Sequence, residues 1–126
     1  MKLLYSIKFN DQGLVPAIIQ NDEDGRVLTL CYMNSDAITK TLETGKVHVF
    51  RRSKGRLMLK GESSGHIQEV RDVFIDCEGN SILFRIKQHV AGCHAGYMSC
   101  YYRRYDQKSD KLEICEEKVF DPDSVY

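Results

Sequence analysis

A chain of 126 residues has room for one domain with a sizeable core. Its 18 lysines and arginines balance 18 aspartates and glutamates, so no whole-protein field points to a nucleic acid or an anionic membrane. No apolar run reaches the roughly twenty residues a membrane helix needs, and Lys8 follows Met1–Tyr5 too soon for a signal-peptide core. The cytoplasm is therefore the expected compartment; thiols stay reduced there, and clustered cysteines serve as ligands or nucleophiles rather than disulfides.

In chain order, Leu14 to Gln20 reads as a strand, with Pro16 placing it near a strand start or an edge. Asp24-Gly25 is a favoured hairpin dipeptide, and Arg26 to Met33 returns as the partner strand. Asn34 or Ser35 can cap a helix over Asp36–Glu43, in which Ala37, Ile38 and Leu42 share one face and Gly45 supplies the stop. Val47 to Phe50 is a short strand that leads into a basic segment. Six lysines and arginines plus His48 lie between Lys46 and Lys60, which suits a small phosphorylated ligand better than a long polyanion. Leu57-Met58-Leu59 leads to Gly61-Glu62-Ser63-Ser64-Gly65, loop by composition.

Ile67 to Ile75 alternates as a long strand, Gly79-Asn80 turns, and Ser81 to Gln88 comes back. After the segment Cys93-His94-Ala95-Gly96-Tyr97-Met98-Ser99-Cys100, strands are expected at Tyr101–Tyr105 and Leu112–Val119, with a turn at Gln107–Asp110. The whole reads as one α+β domain over residues 1–126, mainly antiparallel β with one principal helix, and with a loosely fixed tail over 120–126.

The stretch from Asp76 to Cys100 concentrates the chemistry. Cys77, Cys93 and Cys100 make three thiolates, which suit zinc, and three protein ligands plus water is the catalytic rather than the structural arrangement. If the strand pleat persists, Asp76, Glu78 and Asn80 share one face and offer hard oxygens to magnesium, while Cys77 faces the other way. His94, beside a cysteine, is the first candidate for a base that helps the metal's water, and His66 the second. Taken singly these residues have plainer readings. A lone reduced cysteine is more often a small buried hydrophobe, and Cys31 and Cys115 are read so. The oxygens of 76–80 alone would be the solvated turn of a hairpin.

Together the segments resemble the phosphoribosyl-AMP cyclohydrolase family from about Leu14 to Arg103. The likeness rests on Leu14–Gln20, Tyr32-Met33-Asn34, Thr41–Gly45, Arg52-Ser53-Lys54, Lys60–His66, Asp76-Cys77, and Cys93-His94 through Ser99-Cys100. It implies hydrolytic opening of the N1–C6 bond of the adenine ring of 1-(5-phosphoribosyl)-AMP, a step of histidine biosynthesis. It also implies an intertwined homodimer whose zinc is held by Cys77, Cys93 and Cys100 drawn from both chains, and a magnesium ion at Asp76, Glu78 and Asn80. Arg52, Ser53, Lys60, Glu62 and Ser64 are the candidates for holding the substrate, and His94 for moving the proton.

The chain departs from the family at two of its three aspartates, where Glu78 and Asn80 stand, leaving one charge fewer and a different reach for Mg²⁺. Phe50 and Met58 occupy places where the family usually has tryptophan. These departures keep open a paralogue acting on another N1-modified purine nucleotide. A non-catalytic zinc-stapled module also stays open, with His94 as a fourth ligand. A zinc nucleobase deaminase is disfavoured, because its His-x-Glu and Pro-Cys-x-x-Cys segments are missing.

Overall fold

The structure, a computed structural model, describes residues 1–124. Its elements run α1 (Lys2–Ser6), β1 (Val15–Asn21), β2 (Val27–Met33), α2 (Ser35–Thr44), β3 (His48–Arg51), β4 (Arg56–Leu59), β5 (Gln68–Ile75), β6 (Ile82–Gln88), β7 (Arg103–Asp106) and β8 (Lys111–Ile114). A single 3₁₀ turn follows at Pro122–Ser124. The fold is α+β and mainly antiparallel, with one parallel pair. No helix among the described residues is long and apolar enough to cross a membrane.

The central sheet has the order β2-β1-β6-β5. β1 and β2 form the expected hairpin, with Val15 opposite Met33 and Ile18 opposite Leu30, and Asp24 Oδ1 accepts the Arg26 N–H at 2.9 Å in the turn. β5 and β6 form the second hairpin. Its inner strand docks parallel to β1, Ala17 against Ile82 and Asn21 against Ile86, a contact between hairpins that no local pattern announces. Strand alternation then sorts the faces. Val15, Ala17, Ile19, Ile82, Phe84 and Ile86 point into the core, where Leu28, Met33, Val47 and one face of α2 meet them.

α2 begins where its cap requires: the Asn34 side chain accepts the Ala37 N–H at 2.8 Å. It ends at Gly45, whose φ of 73° is the left-handed conformation that favours glycine. Ala37, Ile38 and Thr41 are its buried residues, and Leu42 packs at the margin of the core. Thr41 is buried because its hydroxyl has partners, donating to Ala37 O at 2.7 Å and accepting the His48 N–H at 2.9 Å.

Several expectations are corrected. Leu57-Met58-Leu59 leads into the 60–64 turn as expected, but it does so as part of β4, whose pairing with β3 was not expected and makes the basic segment the hairpin tip. α1, which the sequence reading did not propose, docks through the Lys8 N–H donating to Gly79 O at 2.8 Å. The last strand stops at Ile114 rather than Val119. Residues 116–120 instead run back along the cysteine segment, with Val119 N–H donating to Gly96 O at 2.8 Å.

β5 ends at Ile75, so Asp76 opens a turn instead of continuing a pleated face. The tail is described as far as Ser124, and its last two residues lie outside the described residues.

Candidate active site

Residues 89–102 have no regular structure, yet hydrogen bonds fix the cysteine loop within them. Gly92 N–H donates to Met98 O (2.8 Å), Cys93 N–H to Tyr97 O (3.1 Å) and Gly96 N–H to Cys93 O (3.1 Å), which folds the segment onto itself. Cys100 N–H donates to Leu28 O at 2.6 Å and ties the loop to β2. The fully buried Ser99 donates its hydroxyl to Val27 O at 2.8 Å and accepts the Tyr101 N–H at 2.9 Å. Tyr97 stacks on Tyr102 with ring centroids 3.9 Å apart. A small loop so anchored brings the thiols of Cys93 and Cys100 together. Burial pushes the Cys93 thiol up, the Ala95 N–H on its sulfur (3.4 Å) draws it back, and the neighbouring Cys100 thiol adds to the rise. A bound cation would reverse that balance by favouring the thiolates.

Beside this loop lies a groove of about 570 Å³ between β2, the β3–β4 hairpin and the segment after β4. All five candidate substrate residues, Arg52, Ser53, Lys60, Glu62 and Ser64, border it, and so do His94, His66 and Cys100. Residues spread over almost fifty positions thus face one space. Arg52 sits with its guanidinium 4.1 Å from the centre of the Tyr32 ring, a cation–π contact that holds the charge at the groove wall. Ser64 Oγ accepts the His66 N–H at 3.2 Å.

Gly61 is indispensable to this turn. Its φ is +85°, and a Cβ there would come within 2.5 Å of the His66 carbonyl carbon and oxygen. His94 is exposed, whereas His66 is buried.

Five expected site residues do not line the groove: Cys93, buried in the loop beside it, and the four of the turn before β6. Asp76, Cys77, Glu78 and Asn80 form the turn before β6, whereas the cysteine loop follows β6, and those seven residues span roughly 20 Å. Among the described residues of one chain, no three His, Cys, Asp or Glu side chains gather as a group able to hold a metal.

Zinc has two adjacent thiols here, a chemically suitable pair, and Cys77 stands exposed at the far turn. The magnesium candidates are committed to one another. Asp76 Oδ1 accepts the N–H groups of Glu78 (3.1 Å) and Asn80 (2.8 Å), and Asp76 Oδ2 accepts the Ser81 hydroxyl at 2.7 Å. Asn80 Nδ2 donates to Glu78 Oε2 at 2.9 Å. The Ser81 hydroxyl foremost, then the Asn80 N–H, hold the Asp76 carboxyl below the ordinary carboxylate range. One carboxylate used as a turn cap, and an acid and an amide paired with each other, make a poor octahedral set for Mg²⁺.

The sequence reading missed two groove residues. Cys31, taken for a core filler, is half-buried on the groove wall; burial raises its thiol to about 12, with Lys60 opposing and Cys100 adding to the shift. Tyr32 was visible only as part of a motif, and nothing in its spacing announced Arg52. Cys115, also read as buried, is exposed and donates to Tyr102 O at 3.2 Å.

The family profile of phosphoribosyl-AMP cyclohydrolase matches residues 29–102, the span from β2 through the cysteine loop. A protein named phosphoribosyl-AMP cyclohydrolase from Chlorobaculum parvum is 46% identical over 123 residues, 98% of this chain and 89% of that one. Its namesake from Methanothermobacter thermautotrophicus is 46% identical over 119 residues, covering 93% and 85%. One from Chlorobium limicola is 46% identical over 124 residues. Matched over nearly its whole length, groove and cysteine loop included, this chain belongs to the phosphoribosyl-AMP cyclohydrolase family.

Proposed function

We propose that the chain is the phosphoribosyl-AMP cyclohydrolase of histidine biosynthesis, hydrolysing the N1–C6 bond of the adenine ring of 1-(5-phosphoribosyl)-AMP in the cytoplasm. The observation that carries this reading is the groove, where Arg52, Lys60, Ser53, Ser64, His66, His94 and the thiol of Cys100 face one space. Arg52 and Lys60 grip phosphate oxygens, arginine being suited to a two-pronged hold. Ser53 and Ser64 offer hydroxyls to the ribose, and Glu62 accepts from its hydroxyl groups.

Ribosylation at N1 makes the ring amidine-like and opens C6 to water. His94, exposed at the groove and next in sequence to Cys93, takes the proton of the attacking water. It returns that proton to N1 as the N1–C6 bond breaks. Zinc, where Cys77, Cys93 and Cys100 hold it, supplies Lewis acidity that activates water at neutral pH. No step is assigned to magnesium, given the mutual commitments of Asp76, Glu78 and Asn80.

The active unit in this reading is an intertwined homodimer, because Cys77 and the Cys93–Cys100 pair lie at opposite ends of β6. A second feature supports it. Leu30, Ile18, Leu83 and Phe74 stand in one row across the four strands on the sheet face away from the core, and Leu30 and Phe74 are 42% and 45% exposed. A second copy of this chain is the occupant that covers the row and completes the thiolate set.

Two experiments test the proposal. Purified protein incubated with phosphoribosyl-AMP, with and without added Mg²⁺, is expected to open the ring, followed by ultraviolet absorbance. No turnover by the zinc-loaded protein under either condition overturns the activity.

For the shared site, inactive Cys77→Ala and Cys93→Ala proteins are unfolded together and refolded. Each mixed dimer then keeps one intact set, so about a quarter of wild-type activity returns if dimers form at random from two-fold pairs. No recovery despite mixed dimers sinks the shared site while leaving the activity to stand.

A further inference from the structure

The cysteine loop is held by β2 on one side and by the stretch after β8 on the other. Glu116 pairs with Arg26, and its Oε1 accepts the Ser99 N–H at 3.4 Å. Three residues on, Val119 N–H reaches Gly96 O at 2.8 Å. Phe120 then sets its ring edge-on to His66, with centroids 4.7 Å apart and planes at 83°. The fit at Gly96 is close: its φ is +103°, and a Cβ there would lie 2.8 Å from the Phe120 carbonyl oxygen.

His66 is 8% exposed, borders the groove, and has Nδ1 buried with no hydrogen-bond partner. The edge-on ring of Phe120 restrains this imidazole, whose Nδ1 makes no hydrogen bond. Phe120 itself does not line the groove.

We propose that Glu116–Phe120 is a positioning strap: Glu116 and Val119 hold the cysteine loop from outside, and Phe120 sets the His66 ring that faces the substrate. The inference deepens the reading given under the proposed function and rests on it. Phe120 acts through His66 and the loop, as a positioning residue. A role in packing alone would lower the melting temperature of a Phe120 variant and leave its kinetics and metal retention untouched.

The test compares wild type, Phe120→Ala and Phe120→Tyr as full-length, zinc-loaded proteins. Phe120→Ala is expected to lower kcat on the order of tenfold with KM within about twofold, since a slightly misplaced site loses rate before affinity. It is also expected to release zinc faster to a chelator, and Phe120→Tyr, which keeps the ring, restores both. Unchanged kcat, KM and zinc release in Phe120→Ala overturn the strap, whether or not its melting temperature falls.

If the alanine variant fails to fold, Val119→Pro, which removes the N–H given to Gly96, is read by the same criteria. If the wild type neither turns over phosphoribosyl-AMP nor retains zinc, the functional reading has failed separately. Amide exchange over 93–100 and the His66 ring resonances then decide the strap, and no change in either between wild type and Phe120→Ala ends it.

Discussion

Of the two cysteine-bearing loops that flank β6, the one after it is built into the protein and the one before it is closed by its own side chains, with one backbone bond from Lys8 to Gly79. Residues 93–100 borrow their geometry from β2, through Val27 and Leu28 carbonyls, and from Glu116 and Val119; Cys93 and Ser99 are buried. Residues 76–81 are closed by Asp76, Ser81, Glu78 and Asn80, with Cys77 left in solvent. A loop fixed by distant elements can hold thiols at a set separation in an isolated chain. The self-closed turn leaves its thiol in solvent, away from that pair, and in the proposed dimer it is a partner that completes the site. The same residue type thus has a different task at each end of one strand.

The sharpest way to break this contrast is Cys93→Ala, expected to abolish both zinc content and turnover, while Cys115→Ala keeps both. Metal analysis and the ring-opening assay read the outcome, and full activity in a zinc-free Cys93→Ala protein removes the mechanism. Next comes Gly61→Ala on the groove side. Its φ of +85° and its 2.5 Å approach to His66 backbone leave nowhere for a methyl group. A loss of about 2–3 kcal/mol in urea unfolding is expected, with weakened substrate binding, because backbone atoms on both sides must shift.

Gly79→Ala probes the opposite end and should cost less. A methyl at Gly79, where φ is +74°, would overlap the Ser6 carbonyl oxygen. α1 has five residues and can undock, so about 1–2 kcal/mol is expected and the catalytic constants stay near wild type. Equal losses at Gly61 and Gly79 would show that the turn bordering the groove and the 76–81 turn are held equally firmly.

The smallest effect concerns acid. Asp76 has its carboxyl lowered from the ordinary 3.8, chiefly by the Ser81 hydroxyl. A depressed carboxylate stabilises the fold above its unfolded pKa, and the contribution fades as pH falls through the folded value. Ser81→Ala should therefore move the Asp76 titration up in carboxyl NMR. It should be slightly less stable than wild type at neutral pH and equal to it once the solution is acid enough to protonate Asp76 in both. A stability gap that persists in that acid would assign the Ser81 effect to something other than this carboxylate.

Local chemistry made much of the fold legible. Asn34 and Gly45 bound α2 because caps and left-handed stops act within a few residues, and Asp24-Gly25 marks a hairpin for the same reason. The β3–β4 hairpin is not legible because the stretch from Arg51 to Lys54 carries charge rather than a favoured turn dipeptide, and Leu57-Met58-Leu59 is too short to declare a period. The pleated presentation of Asp76, Glu78 and Asn80 failed because an aspartate that can accept two nearby N–H groups favours a turn over a strand.

The sequence by itself determined the ligand chemistry: which sulfurs, imidazoles and cations are available, since these belong to side chains whatever the fold. It also settled the short-range elements, whose causes lie within a turn or a pleat. Only the tertiary structure decided that β6 runs parallel to β1, that Arg52, Lys60, His66, His94 and Cys100 face one groove, and that Cys77 does not join them. Those outcomes depend on how hairpins pack their apolar faces against each other, an interaction between segments far apart along the chain that leaves no periodicity to read in any one of them.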